Sequence, residues 1–365
     1  MTIRGVIRLI LIAVLLCAFW LRVHQLEQFP AGLHFDEAAN AILSSEIAFD
    51  GYRPIFISSY TGKEAFFFYA AGLLMNRIGS SIFALRLTAG FFGLLTIAAT
   101  YQLGARLLRD RRVALIAAIL LAINFAHLLF SRLGFRAISQ PLTQALTILF
   151  LIDGFRRLER QQPAWWFFGA AGLFLGLTAH TYLAARLFPV ALAIPLIMML
   201  FAWGKQHQFT ELFKGLGFVG LVGAVVLLPL LFWFFQNPEA FWVRIGQVGA
   251  SDGGISTLDG LRRAVAMLFW NGDPYVRFNI PGRPLFFPLT IFAAALGIWQ
   301  LLKQITNRDA HEQFGRWVLI IVPLVMLLPT ALATSEIVPS NLRAIGIFPF
   351  VVFWPAVGII WLLDV

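Results

Sequence analysis

The amino-acid sequence predicts an all-α, polytopic integral membrane protein with about ten transmembrane helices. The 365 residues are 59% hydrophobic and only 13% charged, whereas soluble domains carry about 25% charged residues. Apolar runs of the length that a bilayer core requires, roughly 17 to 25 residues, recur along the chain. Because a soluble fold of this size cannot bury so much apolar surface, we expect a membrane fold.

The predicted spans are separated mostly by short polar segments and at two places by long ones. They lie near residues 6–22, 82–105, 113–130, 138–154, 165–181, 185–203, 216–235, 286–302, 317–333 and 343–362. A shorter apolar stretch at 65–75 is expected to be re-entrant or interfacial. No repeat, low-complexity segment or linker divides the chain. Residues 1–365 are therefore predicted to form a single transmembrane domain, with no separate soluble domain.

Basic residues indicate the orientation, because short cytoplasmic loops carry an excess of Lys and Arg. With the N-terminus inside, the basic clusters fall in the inner segments, and the short outer loops hold only Arg132, Arg136, Arg186 and Arg343. Two long segments, 23–81 and 236–285, then lie outside. We expect a bacterial plasma membrane protein with its active site on the outer face. The net charge of +10 reflects this topology and does not indicate a nucleic-acid partner.

The two ends of the chain and its single cysteine indicate less about the fold than the apolar runs do. Arg4 and Arg8 precede the first apolar run as in a signal peptide, but no cleavage site follows, so the run is expected to remain as the first span. Cys17 lies inside this run and excludes a disulfide framework. Only residues 363–365 follow the last predicted span, so we expect a chain that is either naturally short or truncated.

The most informative motif lies in the first outer loop, where Asp36 and Glu37 follow a Pro- and Gly-containing segment at 29–35. They would begin an interfacial helix at about 36–49 whose apolar side rests on the membrane. One interpretation is structural, because carboxylates favour a helix N-terminus. The other is catalytic, because a carboxylate at this depth can accept a proton from an attacking hydroxyl group.

Lys63 lies further along the same loop, immediately before a run of aromatic residues. Its side chain could extend from this apolar run to the membrane surface. It could also contact a phosphate group as a point charge. The sequence alone leaves both interpretations open.

Three segments in order resemble the GT-C glycosyltransferases of the protein O-mannosyltransferase and aminoarabinose-transferase (ArnT-like) type. They follow a short N-terminal span and read GLHFDEA at 32–38, GKEAFFFY at 62–69 and FALRL at 83–87. In that family, an Asp-Glu pair in the first outer loop precedes a Lys-Pro-Pro or similar element near the lipid phosphate. Glu64 departs from this pattern because it stands where proline is usual.

The resemblance implies an inverting glycosyltransferase that takes a sugar from a polyprenyl-phosphate donor outside the cytoplasm. Asp36 would be the general base, and Glu37 would orient it or contact the acceptor. Lys63 would match the family's phosphate-binding lysine. The acceptor would be a glycan, a lipid or a protein. The sugar, the acceptor and the lipid carrier remain open.

Other outer-face residues are candidates for the same site. Arg132, Arg136, Arg277 and Arg343 could hold the donor phosphate, although interfacial arginines also serve as simple anchors. Where many family members have a second acidic residue, this chain has Ser139 and Gln140, so the sequence offers no support for a two-carboxylate metal site. A divalent metal is possible but has no ligand cluster here. The predicted substrate pocket consists of His34, Tyr60, His180, Tyr182, Asn279 and Arg283.

Two other classes of function compete with a glycosyltransferase. A transporter or flippase of lipid-linked sugars is the alternative, but transport normally places ionisable residues within the spans. In this chain the charges concentrate on one outer face. A non-catalytic membrane scaffold would explain the spans but not the acidic and basic residues outside.

Overall fold

The computed structural model describes residues 3–59, 62–203, 209–248, 254–305 and 310–365. Tyr60, predicted as a pocket residue, lies outside these ranges. The first half of the chain forms the helices α1 (Ile3–Val23), α2 (Phe35–Phe49), α3 (Phe66–Ile78), α4 (Ile82–Leu107), α5 (Arg111–Ile123), α6 (Phe125–Phe130), α7 (Ser139–Glu159) and α8 (Trp165–Thr178).

The second half continues with the helices α9 (Phe188–Trp203), α10 (Phe209–Gln236), α11 (Pro238–Val248), α12 (Thr257–Phe269), α13 (Pro288–Lys303), α14 (Ala310–Met326), α15 (Leu328–Ala331), α16 (Phe348–Val351) and α17 (Phe353–Asp364). Short 3₁₀ helices lie at Arg136–Ile138, Leu183–Leu187 and Ile345–Ile347. The prediction of an all-α membrane fold is confirmed.

Each predicted span contains helical structure, but the predicted count of ten spans is not confirmed. Within the described residues, six helices are long and apolar enough to cross a bilayer: Arg4–Val23, Ile82–Leu107, Leu183–Phe201, Phe209–Gln236, His311–Ala331 and Ile345–Asp364. Shorter apolar helices lie at Phe66–Ile78, Trp165–Thr178 and Pro288–Lys303. The chain is an integral membrane protein.

One predicted span is interrupted for a local reason. The apolar run at 113–130 is divided between α5 and α6 because Asn124 has an extended backbone conformation. Its side-chain oxygen accepts a hydrogen bond from the backbone N–H of His127 at 3.1 Å. This is an N-cap interaction, which starts a new helix and ends the previous one.

The segment between α1 and α4 contains the two expected helices, α2 and α3, and a small hairpin that the sequence did not predict. Strand β1 (Phe56–Ile57) pairs antiparallel with β2 (Lys63–Glu64), with Ile57 opposite Lys63. Successive side chains of a strand point to opposite faces. The hairpin therefore directs Lys63 and Glu64 in different directions.

Small residues allow the closest helix packing. A Cβ atom on Gly297 of α13 would lie 1.8 Å from the carbonyl oxygen of Trp354 in α17, and one on Gly358 would lie 1.9 Å from that of Ala293. Only glycine permits such backbone contact. The helices α11 and α12, in contrast, lie in the segment 236–285, where the sequence predicted no helix.

Candidate active site

The local sequence places Asp36 at the exposed start of α2. His34 has an extended backbone and caps the helix, because its Nδ1 accepts a hydrogen bond from the backbone N–H of Asp36 at 3.1 Å. Gly32 precedes it with a φ of +78°, a conformation that favours glycine. The Asp36 side chain remains 36% exposed. A substrate can therefore reach its carboxylate.

Arg277, from the segment between α12 and α13, meets Asp36. Its Nη1 donates a hydrogen bond to Oδ2 of Asp36 at 2.6 Å, and its Nη2 contacts Nε2 of His34. Nη2 also donates to the Tyr275 hydroxyl at 2.8 Å. The fold thus joins predicted site residues that are 241 positions apart.

Aromatic rings surround the Arg277 guanidinium. Its central carbon lies 5.6 Å from the ring centre of Phe35, 5.8 Å from Phe135, 5.1 Å from Tyr275 and 5.2 Å from Phe278. Cations at these distances are attracted by the ring faces. The rings fix the position of a positive charge directly beside Asp36.

The loop that carries Arg277 is anchored by Asp273. The buried Asp273 carboxylate accepts hydrogen bonds from the backbone N–H groups of Tyr275 and Asn341, both at 2.8 Å. Burial raises the pKa of this carboxyl group, and the two backbone hydrogen bonds oppose the shift. Asn279, predicted to line the pocket, instead donates to the carbonyl oxygens of Asp273 and Arg283 and holds the loop together.

His34 is kept neutral by its surroundings. Burial lowers its pKa below the ordinary value of 6.5, and the positive charge of Arg277 lowers it further. The uncharged ring avoids placing a second positive charge beside the Arg277 guanidinium. Asp36 and Glu37 act in the opposite direction with smaller effects.

Lys63 contacts α2 at Asn40, one helical turn beyond Asp36. Its buried Nζ donates to Oδ1 of Asn40 at 2.7 Å, and residues four apart lie on the same face of a helix. The amide of Asn40 also donates to the carbonyl oxygen of Gly134 at 2.7 Å. The hairpin, α2 and the loop before α7 therefore meet at this point.

The Glu64 carboxylate contacts two arginine side chains. Its Oε2 accepts from Nε of Arg136 at 3.0 Å, and its Oε1 lies 3.5 Å from Nη2 of Arg186. The Arg136 guanidinium also lies 5.2 Å from the ring centre of Tyr182. Two predicted site residues, Arg136 and Tyr182, thus lie together beside the Glu64 carboxylate.

Arg186 is a residue of this cluster that the sequence did not single out. Its guanidinium carbon lies 4.9 Å from the ring centres of both Phe234 and Phe241. Its position in a short outer loop was the available signal, but many interfacial arginines share that position. Only the packing of α10 and α11 against it distinguishes Arg186.

Glu37 has a different position from its neighbour. Both Glu37 and Arg86 are 1% exposed, with Nε to Oε1 at 2.7 Å and Nη2 to Oε2 at 2.9 Å. The backbone N–H of Gly134 donates to Oε1 at 2.9 Å. Both oxygens of Glu37 are therefore engaged within the protein, which corrects the prediction of an acceptor contact and gives Glu37 a structural role.

Arg132 is also removed from the predicted phosphate site. Its Nη1 donates to the carbonyl oxygen of Leu21 at 2.5 Å, and its Nη2 donates to those of His24 and Phe29, both at 2.8 Å. These contacts fasten the end of α1 to the loop after α6. The guanidinium serves as a clamp on backbone carbonyl groups.

The remaining candidates make contacts in their own regions. Arg343 pairs with Glu336 and donates to the carbonyl oxygen of Ile337. Arg283 stacks on Phe125 and Phe287. His180 contacts the Val226 carbonyl oxygen through Nε2 at 3.1 Å, and its own carbonyl oxygen accepts from the N–H of Phe66 at 3.3 Å. This last contact ties His180 to the element that follows Lys63 and Glu64.

A metal ion would require a cluster of ligands. Across the described ranges of the chain, no group of three His, Cys, Asp or Glu side chains could hold one. His34 and Asp36 lie together, with 3.6 Å between Nδ1 and Oδ2, but Arg277 is their third neighbour. A guanidinium beside two prospective ligands opposes cation binding there.

Solved structures with the same architecture identify the fold. ArnT from Cupriavidus metallidurans, bound to undecaprenyl phosphate, aligns with a TM-score of 0.68 at 16% identity, over 98% of this chain and 60% of that one. This is the GT-C fold. The apo oligosaccharyltransferase from Archaeoglobus fulgidus aligns with a TM-score of 0.66 at 18% identity, over 98% of this chain and 50% of that one.

Two sequence findings accompany the structural ones. Residues 64–233 match the family described as dolichyl-phosphate-mannose-protein mannosyltransferase. No curated protein matches the chain. The resemblance to GT-C proteins of the ArnT and protein mannosyltransferase type is confirmed. The chain spans about 60% of the length of ArnT and half that of the oligosaccharyltransferase.

Proposed function

We propose that this GT-C protein is an inverting glycosyltransferase. It moves a sugar from a polyprenyl-phosphate donor to an acceptor hydroxyl group on the non-cytoplasmic side of a bacterial plasma membrane. The observation that carries the proposal is the meeting of Asp36 and Arg277. An accessible carboxylate and a fixed cation come from two outer segments and lie within 2.6 Å of each other.

The reaction requires one base and a stabilised leaving group. The acceptor oxygen attacks the anomeric carbon while the bond from that carbon to the phosphate oxygen breaks. Asp36 takes the proton of the acceptor hydroxyl. The electron pair leaves with the lipid phosphate, and nearby cations stabilise its charge. A single displacement of this kind inverts the configuration of the sugar.

Lys63, Arg136 and Arg277 are the proposed phosphate contacts. Lys63 is linked to the Asp36 helix through Asn40, and Arg136 is held by Glu64. The donor class is supported by two proteins of the same fold, since ArnT is bound to undecaprenyl phosphate and the archaeal AglB is in complex with a dolichol-phosphate and an inhibitory peptide. AglB aligns with a TM-score of 0.63 at 16% identity, over 98% of this chain and 50% of that one.

Substitution of Asp36 tests the proposal. Reconstituted Asp36→Asn protein, given a labelled undecaprenyl-phosphate sugar and acceptor extract, should lose transfer by roughly 100-fold or more, the usual contribution of a positioned base. The protein should remain folded, because this side chain is partly exposed. Asp259→Asn is the matched control, because it makes the same change at an exposed carboxylate of α12.

Two results would contradict the proposal. Full activity of Asp36→Asn would remove the base from the mechanism. Movement of intact labelled lipid across the vesicle membrane without a new covalent product would instead support a flippase. Measuring both the product and the transbilayer distribution of the label separates the two functions.

A further inference from the structure

An apolar groove lies between α3 and α4, on the other side of α3 from the interfacial helix α2. Its volume is about 450 Å³. Leu73, Phe91 and Leu95 line it and are exposed, and α4 is one of the helices long and apolar enough to span a membrane. The groove therefore opens toward the hydrocarbon region of the bilayer.

Arg77 supplies the one charged side chain among the lining residues. Thr88 also lines the groove, but its hydroxyl donates to the Ala84 carbonyl oxygen of its own helix at 2.9 Å. Arg77 is exposed and makes no ion pair or hydrogen bond within the described residues. It lies in the last turn of α3, five residues before α4 begins at Ile82. Arg77 is therefore near the end of a spanning helix, where lipid headgroups are found.

We propose that this groove binds an anionic glycerophospholipid. One acyl chain lies along the apolar walls, and the headgroup phosphate accepts hydrogen bonds from the Arg77 guanidinium. A guanidinium suits a phosphate because its donors match the phosphate oxygens in pairs. The combination of one unpaired cation with otherwise apolar walls fits a ligand with one charged end and one apolar chain.

The position of Arg77 distinguishes this lipid from the proposed sugar donor. Arg77 lies eleven residues beyond Phe66, and each helical residue rises 1.5 Å, so α3 separates it from the Lys63 region by about 16 Å. A phosphate held by Arg77 cannot at the same time be the leaving group beside Asp36. The groove is thus a second lipid site, and it does not depend on the transferase proposal.

Lipid retention tests the assignment. Purified full-length protein is equilibrated with phosphatidylglycerol or phosphatidylcholine, and bound lipid is counted by native mass spectrometry. The wild type should retain phosphatidylglycerol in preference. Arg77→Gln should lower that retention by about fivefold, the factor expected for one basic residue at an anionic headgroup. Arg262→Gln removes an equally basic, exposed residue of α12 and should change nothing.

A second variant keeps the inference testable if charge alone has little effect. Leu73→Trp places a larger side chain at the exposed edge of the groove and should lower retention of phosphatidylglycerol without altering Arg77. Equal retention of the two phospholipids, or unchanged retention in both variants, would overturn the proposal. Displacement of phosphatidylglycerol by equimolar undecaprenyl phosphate would also overturn it, because the groove would then belong to the donor.

Discussion

The buried ion pair between Glu37 and Arg86 should be one of the most costly single interactions to remove in the region around the candidate site. Glu37→Gln keeps the shape of the side chain but leaves the Arg86 charge without a counterion in a site where both side chains are 1% exposed. Arg86 also donates to the carbonyl oxygens of Leu26, Pro30 and Gly32. Removing one partner of such a pair costs about 3 to 5 kcal/mol.

An exposed pair of matching geometry provides the control. Arg112 and Asp364 also form two contacts, at 2.7 and 2.9 Å, but both side chains are 49% exposed. Solvent screens such a pair, so Asp364→Asn should leave stability close to that of the wild type. Thermal unfolding in detergent, followed by size-exclusion chromatography, compares the variants.

The result that would refute this reasoning is specific. If Glu37→Gln and Asp364→Asn shift the unfolding temperature equally, burial does not determine the cost. If Glu37→Gln retains wild-type stability but loses sugar transfer, Glu37 acts in the chemistry and its structural assignment is wrong. Loss of both stability and activity is the expected outcome.

Two further predictions concern glycine substitutions and the titration of His34. Gly134→Ala should destabilise the protein, because the added Cβ atom would lie 2.5 Å from Cγ of buried Leu85. The Cβ atom of Gly217→Ala would meet nothing within 4 Å, so this variant should be neutral or slightly stabilising in the same unfolding assay. Protonation of His34 would place a second positive charge beside Arg277, and the pKa of His34 in the folded protein lies below the ordinary 6.5. The neutral His34 ring should therefore contribute to stability above pH 6.5. This contribution should be lost as the pH falls through the lowered pKa. His34→Gln should flatten this part of the stability profile, and an unchanged profile would contradict the assignment.

Much of the fold could be predicted from the sequence because hydropathy and helix boundaries are local properties. The two interfacial helices, α2 and α3, were expected at 36–49 and 65–75 and lie at Phe35–Phe49 and Phe66–Ile78. The break at Asn124 and the two-residue strands were not expected. They depend on a single capping side chain and on long-range packing, neither of which produces a periodic signal.

The candidate site was predicted less completely. The sequence directed attention to the segments 23–81 and 236–285 and to Asp36, and the loop of Arg277 was among the candidates. It could not separate Asp36 from Glu37, although the two are adjacent. Successive residues of a helix point about 100° apart, so Asp36 faces Arg277 while Glu37 faces the protein interior and Arg86.

The sequence by itself determined that the chain enters the membrane, where its long apolar helices lie and where the polar residues gather. Tertiary structure decided which charges meet. Arg132 and Arg136 are near neighbours in one loop, yet the first binds backbone carbonyl groups of the α1 end and the second pairs with Glu64. The physical reason is that the two effects act over different distances along the sequence. The transfer of an apolar segment into lipid depends on that segment alone, whereas an ion pair forms only where the fold brings a distant partner.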